Sequence, residues 1–138
     1  MSTATSLPLE DDKSISDDSQ LWRRIPPWHI VDDKNFGRKR ISKAAFEDHP
    51  DGSAMSVVLG DEVLAAGRQP SSVVAGHAGF CLAAVSAGVA RSLKQGISRQ
   101  PLEDEPAHAE VFGKKTDGVR KGFAKAAVWI IGPDEDSV

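Results

Sequence analysis

A chain of 138 residues has room for one domain with a single modest core. At 40% hydrophobic and 27% charged it is too apolar for wholesale disorder, and three Trp, five Phe and no Tyr leave the core to Val, Leu, Ile and Ala. The net charge of -3 is uneven: Glu10, Asp11, Asp12, Asp17 and Asp18 face only Lys13 at the start, and Asp134, Glu135 and Asp136 close the chain. Residues 21–133 hold 16 basic and 12 acidic residues, so a mildly basic body lies between acidic flanks.

Residues 1–20 are rich in Ser, Thr and Asp without apolar periodicity and read as a flexible acidic tail. Order is expected from Leu21-Trp22-Arg23-Arg24-Ile25, a short strand stopped by Pro26-Pro27. Ser42 suits the cap of one helical turn through Phe46, and His49-Pro50-Asp51-Gly52 is turn chemistry. Met55–Leu59 reads as a strand, followed by a short helix from Glu62 to Ala66 capped by Asp61 and closed by Gly67. Val73-Val74-Ala75 looks extended. Phe80 to Arg91 reads as a bent strand, because Gly79 and Gly88 weaken a helix there. Ile97-Ser98-Arg99 and residues 107–112 are further strands.

The last predicted element is a helix capped by Asp117, with Val119, Phe123, Ala126, Ala127 and Ile130 on its apolar face. Arg120, Lys121 and Lys125 take the remaining surface, and Gly132-Pro133 ends the helix. The expected architecture is therefore α+β: a small mixed sheet, two or three short helices, and a C-terminal amphipathic helix packed on the sheet. It forms a single domain over 21–133 between the tail 1–20 and a second acidic tail, 134–138.

Several function classes are argued down by the residues. The one cysteine, Cys81, cannot form an internal disulfide, and its apolar setting reads as a buried small hydrophobe. The histidines at 29, 49, 77 and 108 share no metal-ligand spacing, so no metal is expected. No serine stands in a G-x-S-x-G elbow. No signal peptide or membrane span is expected, which makes the cytoplasm the default location.

Two polar clusters remain. The segment 106–116 runs from a strand through Gly113, Lys114, Lys115 and Thr116 into a helix start, an arrangement suited to cradling an anion. It departs from the P-loop at His108, where glycine is required, and at Lys115, which displaces the threonine. His108 and Glu110, two apart on a strand, share a face and suit a base with a carboxylate beside it. The second cluster joins Arg23 and Arg24 to His29, a candidate clamp for phosphate or carboxylate. The candidate catalytic set is thus His108, Glu110, His29 and Arg23, and the candidate anion cradle is Gly113, Lys114, Lys115 and Thr116, with no cofactor called for. The run Arg38-Lys39-Arg40-Ile41-Ser42-Lys43, beside Phe36, is the densest basic stretch and the one place where nucleic-acid phosphates would be tracked.

Arg23-Arg24-Ile25-Pro26-Pro27-Trp28-His29, Ser42-x-x-Ala45-Phe46 and Pro106-Ala107-His108-Ala109-x-Val111-x-Gly113-Lys114-Lys115-Thr116 together resemble a pattern of small bacterial proteins, spanning residues 21–131. The resemblance implies a bacterial origin and no particular chemistry. More loosely, the chain is similar to RES-type ADP-ribosyltransferase-like toxins. Arg23 or Arg24 would be the arginine of an early strand, Gly37-Arg38 the Gly-Arg stretch, and Ser56 to Ala66 the strand leading into a short helix. It departs from them in having no Tyr and no acidic residue at the catalytic end. The expected function is that of a small accessory protein binding a protein partner or a small anionic ligand. The alternatives are an enzyme acting on a phosphorylated or nucleotide-like substrate, or a weak nucleic-acid-binding module.

Overall fold

The computed structural model describes residues 9–33 and 37–133, apart from the side chain of Arg38. Expectations for residues 1–8, Phe36 and 134–138 lie outside the described residues. Eight strands and three helices follow in order: β1 (Gln20–Ile25), β2 (Ile30–Asp33), β3 (Arg38–Ile41), β4 (Met55–Leu59), α1 (Gly60–Ala65), β5 (Cys81–Ser86), α2 (Ala87–Ser92), β6 (Gly96–Arg99), β7 (His108–Phe112), α3 (Asp117–Ala126) and β8 (Val128–Ile131). Six strands form one sheet in the order β6-β7-β4-β1-β5-β8, and β2 and β3 form a separate hairpin. The α+β class is as expected, and every pairing is antiparallel.

Register assigns the faces, because paired residues of antiparallel strands point the same way. Trp22, Val58 and His108 form one row, and Ser56, Glu110 and Ser98 another on the same face. Arg24 shares that face, two residues from Trp22, whereas Arg23 points to the other. Trp22 is buried and closes over Gly60, where even a Cβ would lie 2.2 Å from the indole. Phe46 and Phe123 stack with centroids 5.5 Å apart, both fully buried, and join α3 to the 3-10 turn Lys43–Ala45. Ser42 caps that turn as predicted, accepting from the Ala44 N–H.

Six local expectations are corrected. Residues 9–19 are not a free tail: Ile15 is 2% exposed, and the Asp12 N–H donates to the Ile97 carbonyl at 2.7 Å. Val73 ends a 3-10 turn started by Pro70, whose fixed φ suits a first helical position. Phe80–Arg91 is not one bent strand but β5 followed by α2, because the Ser86 hydroxyl accepts from the Val89 N–H and caps a helix. Finally, Thr116 rather than Asp117 caps α3, and the helix ends at Ala126. The β-branched run after it forms β8, so Ile130 belongs to a strand. Asp61 likewise lies in the first turn of α1 rather than at its cap, where it accepts from the Gln20 N–H at 3.3 Å.

Candidate functional site

Of the predicted catalytic residues, the structure brings Arg23 and His108 to the lining of one cavity. β4 separates β1 from β7, and Ser56 on β4 is where the two segments meet. The Arg23 guanidinium donates to the Ala45 carbonyl at 3.0 Å and the Ser56 carbonyl at 2.7 Å. Desolvation, followed by the like charge of Arg24, brings its pKa down to about 10. Arg23 thus fixes the loop that begins at the 3-10 turn. His29 lies on this side as well: burial and the Arg23 charge lower its pKa, and its Nδ1 is buried without a hydrogen-bond partner.

The expected anion cradle is also occupied by its own chain. Lys115, with its side chain 5% exposed, donates to the carbonyls of Val111 at 3.0 Å and Gly113 at 3.1 Å and pairs with Asp48 at 2.9 Å. All three of its donors are therefore used. The Thr116 hydroxyl takes the Val119 N–H, and Asp117 places a carboxylate at the helix start, where an anion would bind. Lys43 and then Lys121 hold Asp117 at about 2. Only Lys114 and the backbone of Gly113, at φ 138°, remain as drawn from sequence.

His108 lines a cavity of about 130 Å³ with Arg23, Arg24, Ser56, Leu102, Asp104 and Glu105. Its Nδ1 lies 2.7 Å from the Gln100 carbonyl, which can only accept, so Nδ1 carries the proton. In the neutral ring Nε2 then accepts from the Ser56 hydroxyl at 3.2 Å. Arg24 donates to the Val73 carbonyl at 2.6 Å, and Arg68 neutralises Glu105 through two hydrogen bonds of 2.6 and 2.9 Å. The chain of hydroxyl, imidazole and carbonyl has the order of an activated nucleophile. Its cavity is nevertheless well below the ~300–1,000 Å³ of ordinary ligand pockets. Glu110 shares the face of His108, as the spacing predicted, in the row between Ser56 and Ser98.

A larger feature lies elsewhere. Two adjoining grooves of about 450 and 560 Å³ separate the β2–β3 hairpin from α3 and β8. Asp33, Lys39, Arg40 and Lys43 line one wall and Lys121 and Lys125 the other, with Ile41, Ala124, Ala127, Val128 and Trp129 between them. Lys43 and Lys121 share one carboxylate, Asp117, with Lys121 at 3.0 Å. Among the described residues, Arg40 and Lys125 have no ion-pair partner. Positive charge is therefore in surplus over an apolar floor.

Both basic faces were visible in the sequence, the run 38–43 and the polar side of α3. Their convergence was not, since it depends on Phe46 and Phe123 bringing the 3-10 turn against the helix. Among the described residues no cluster of metal-ligating side chains occurs, and no helix is long and apolar enough to cross a membrane. No family model, curated protein or solved structure matches the chain.

Proposed function

We propose that this chain is a small accessory protein without catalysis of its own, which holds an acidic, partly apolar segment of a partner protein in the groove between the β2–β3 hairpin and α3. One observation carries the reading: cations from two distant stretches, Arg40 with Lys43 and Lys121 with Lys125, converge over an apolar floor with too few carboxylates to balance them. Such a mixed surface suits a segment with both carboxylates and apolar side chains. The overall charge of -3 and the modest basic surplus favour a peptide over a nucleic acid, whose phosphates call for a broader positive field. A bacterial, cytoplasmic setting belongs to the same proposal. It is supported by the sequence pattern across residues 21–131 and by a lone buried thiol, Cys81, that suits a reducing compartment.

The test is fluorescence anisotropy of a labelled Asp/Glu-rich peptide containing apolar residues. The paired substitutions Arg40→Glu and Lys125→Glu should weaken its binding by ~10-fold or more, and added salt should weaken binding to the unaltered chain. Equal affinity for both proteins would refute the reading.

The Ser56–His108–Gln100 chain favours a second reading, an enzyme acting on a phosphorylated or nucleotide-like substrate. Arg24 would contact the anion, Ser56 would be the nucleophile and His108 the base. Under it, Ser56→Ala and His108→Ala would abolish turnover of such a substrate while leaving the melting temperature unchanged.

A further inference from the structure

We infer that the partner segment held in the groove continues along β8 as an added antiparallel strand, so that the partner is a protein whose β-branched apolar run leads into a cluster of carboxylates. The inference rests on the groove reading above and names the form in which the occupant binds.

The edge itself is the first ground. β8 is the last strand of the sheet and pairs only with β5. Its residues, Val128-Trp129-Ile130-Ile131, include no charge and no proline, and Val128 is 59% exposed. Among the described residues no backbone hydrogen bond from outside the sheet reaches it. An uncharged edge of this kind is a template for another strand, which would bind through its main chain. Pairing beside Val128, Ile130 and Ile131 favours β-branched side chains in that strand.

The place of the groove is the second ground, and it sets the order of the segment. Val128 and Trp129 line the part of the groove next to β8, whereas Ile130 and Ile131 line neither part. The groove therefore opens at the Val128 end of the strand. Its cations come from the walls: Lys125 from the last turn of α3 and Arg40 from β3. Every pairing in the sheet is antiparallel, the arrangement that is also the more stable per residue. A strand running opposite to β8 leaves it at Val128, so its acidic residues follow its apolar run into the groove.

Charge is the third ground. In the part of the groove next to β8, Lys39, Arg40 and Lys125 share the lining with one carboxylate, Asp33. The molecule already closes its other outer strand with such chemistry. Along β6 the Asp12 N–H donates to the Ile97 carbonyl, while Arg91 and Arg99 grip Asp11 and Asp12. Among the described residues β8 has the open edge and the nearby cations without the carboxylates, and a partner segment supplies them.

Fluorescence anisotropy of a labelled synthetic peptide, an alternating Val/Thr run followed by glutamates, tests this. Placing the glutamates before the run should weaken binding by ~10-fold or more. Two further peptides carry N-methyl groups on alternate residues of the run, one on each alternate set. Only the set whose N–H groups face β8 should lose binding, by ~10-fold or more. Amide hydrogen exchange within Val128–Ile131 should slow when the parent peptide saturates the chain. An equal response to the two methylated sets, or unchanged exchange at β8, would overturn the inference. If binding is then still weakened by Arg40→Glu with Lys125→Glu, the groove reading stands without the added strand; a parent peptide indifferent to those two substitutions removes both. Sedimentation velocity without peptide should show a monomer, and a dimer that the peptide dissociates would make a second copy the occupant and overturn the inference.

Discussion

The two outer strands of the six-stranded sheet are treated in opposite ways. β6 is covered by residues 10–17. The Asp12 N–H donates to the Ile97 carbonyl, the Asp11 carboxylate accepts the Ile97 N–H at 3.0 Å, and Arg99 holds Asp12 at 3.0 Å. Arg91 ties the cover down through Asp11 at 3.2 Å and Asp17 at 2.7 Å, and Ile15 buries itself beneath. β8 has no such cover among the described residues, only the slip in register between Leu82 and Ala83 that leaves Ile130 over. One edge is closed by the chain's own acidic segment, and the other stands open, among the described residues, beside a groove in which cations outnumber carboxylates. The comparison shows that carboxylates laid along a strand edge close β6, while β8 has no such cover among the described residues.

Removing the cover should have the largest effect. Ile15→Ala empties a fully buried site and is expected to lower stability by ~2–4 kcal/mol in a urea melt, with light scattering rising as β6 is exposed. Asp11→Ala leaves the Ile97 N–H and the Arg91 guanidinium short of an acceptor and should cost ~1–3 kcal/mol by the same melt. Val128→Lys at the open edge should stay within ~0.5 kcal/mol of the unaltered chain. If Val128→Lys destabilises as much as Asp11→Ala, the contrast between the edges does not hold.

The closed edge is also expected to respond to acid. Burial pulls the Asp11 carboxyl upward, but the Ile97 N–H, Lys13 and Arg91 together hold it below its ordinary 3.8. Asp12 is held down by Ser14 and Arg99. A carboxylate depressed in the folded state stabilises above the unfolded value and loses that contribution as pH falls through the folded one. Hydrogen exchange at Ile97 should therefore accelerate below pH ~4. Exchange that stays flat down to pH ~2 would contradict the cover's electrostatic anchoring.

A smaller effect comes from His29. Its pKa is lowered chiefly by burial, so the unfolded chain takes up the proton first and stability falls as pH drops below the ordinary 6.5. His29→Gln should flatten that part of the stability profile, and an unaltered slope would remove His29 as its source.

Much of the fold was legible because its signals are local. Ser42 capping a turn into Phe46, the strands at 21–25 and 55–59, and the alternation that puts His108 and Glu110 on one face all follow from neighbours in the chain. What was missed depends on contacts far apart in sequence. Composition makes residues 9–19 read as a tail, but two arginines some 80 residues away convert its aspartates into an edge cover. Helical periodicity carried the last helix through Ile130, whereas the β5 edge recruits Val128–Ile131 as a strand. Arg23 and Lys115 looked like ligand-binding cations, yet each spends its donors on the carbonyls of its own fold.

The central claim is that the groove between the β2–β3 hairpin and α3 is the recognition surface. Amide chemical-shift mapping while an Asp/Glu-rich peptide is titrated in tests it most directly. The account predicts that the perturbed amides cluster at residues 39–43 and 121–129. Perturbations gathered instead around Arg24, Ser56 and His108 would contradict it.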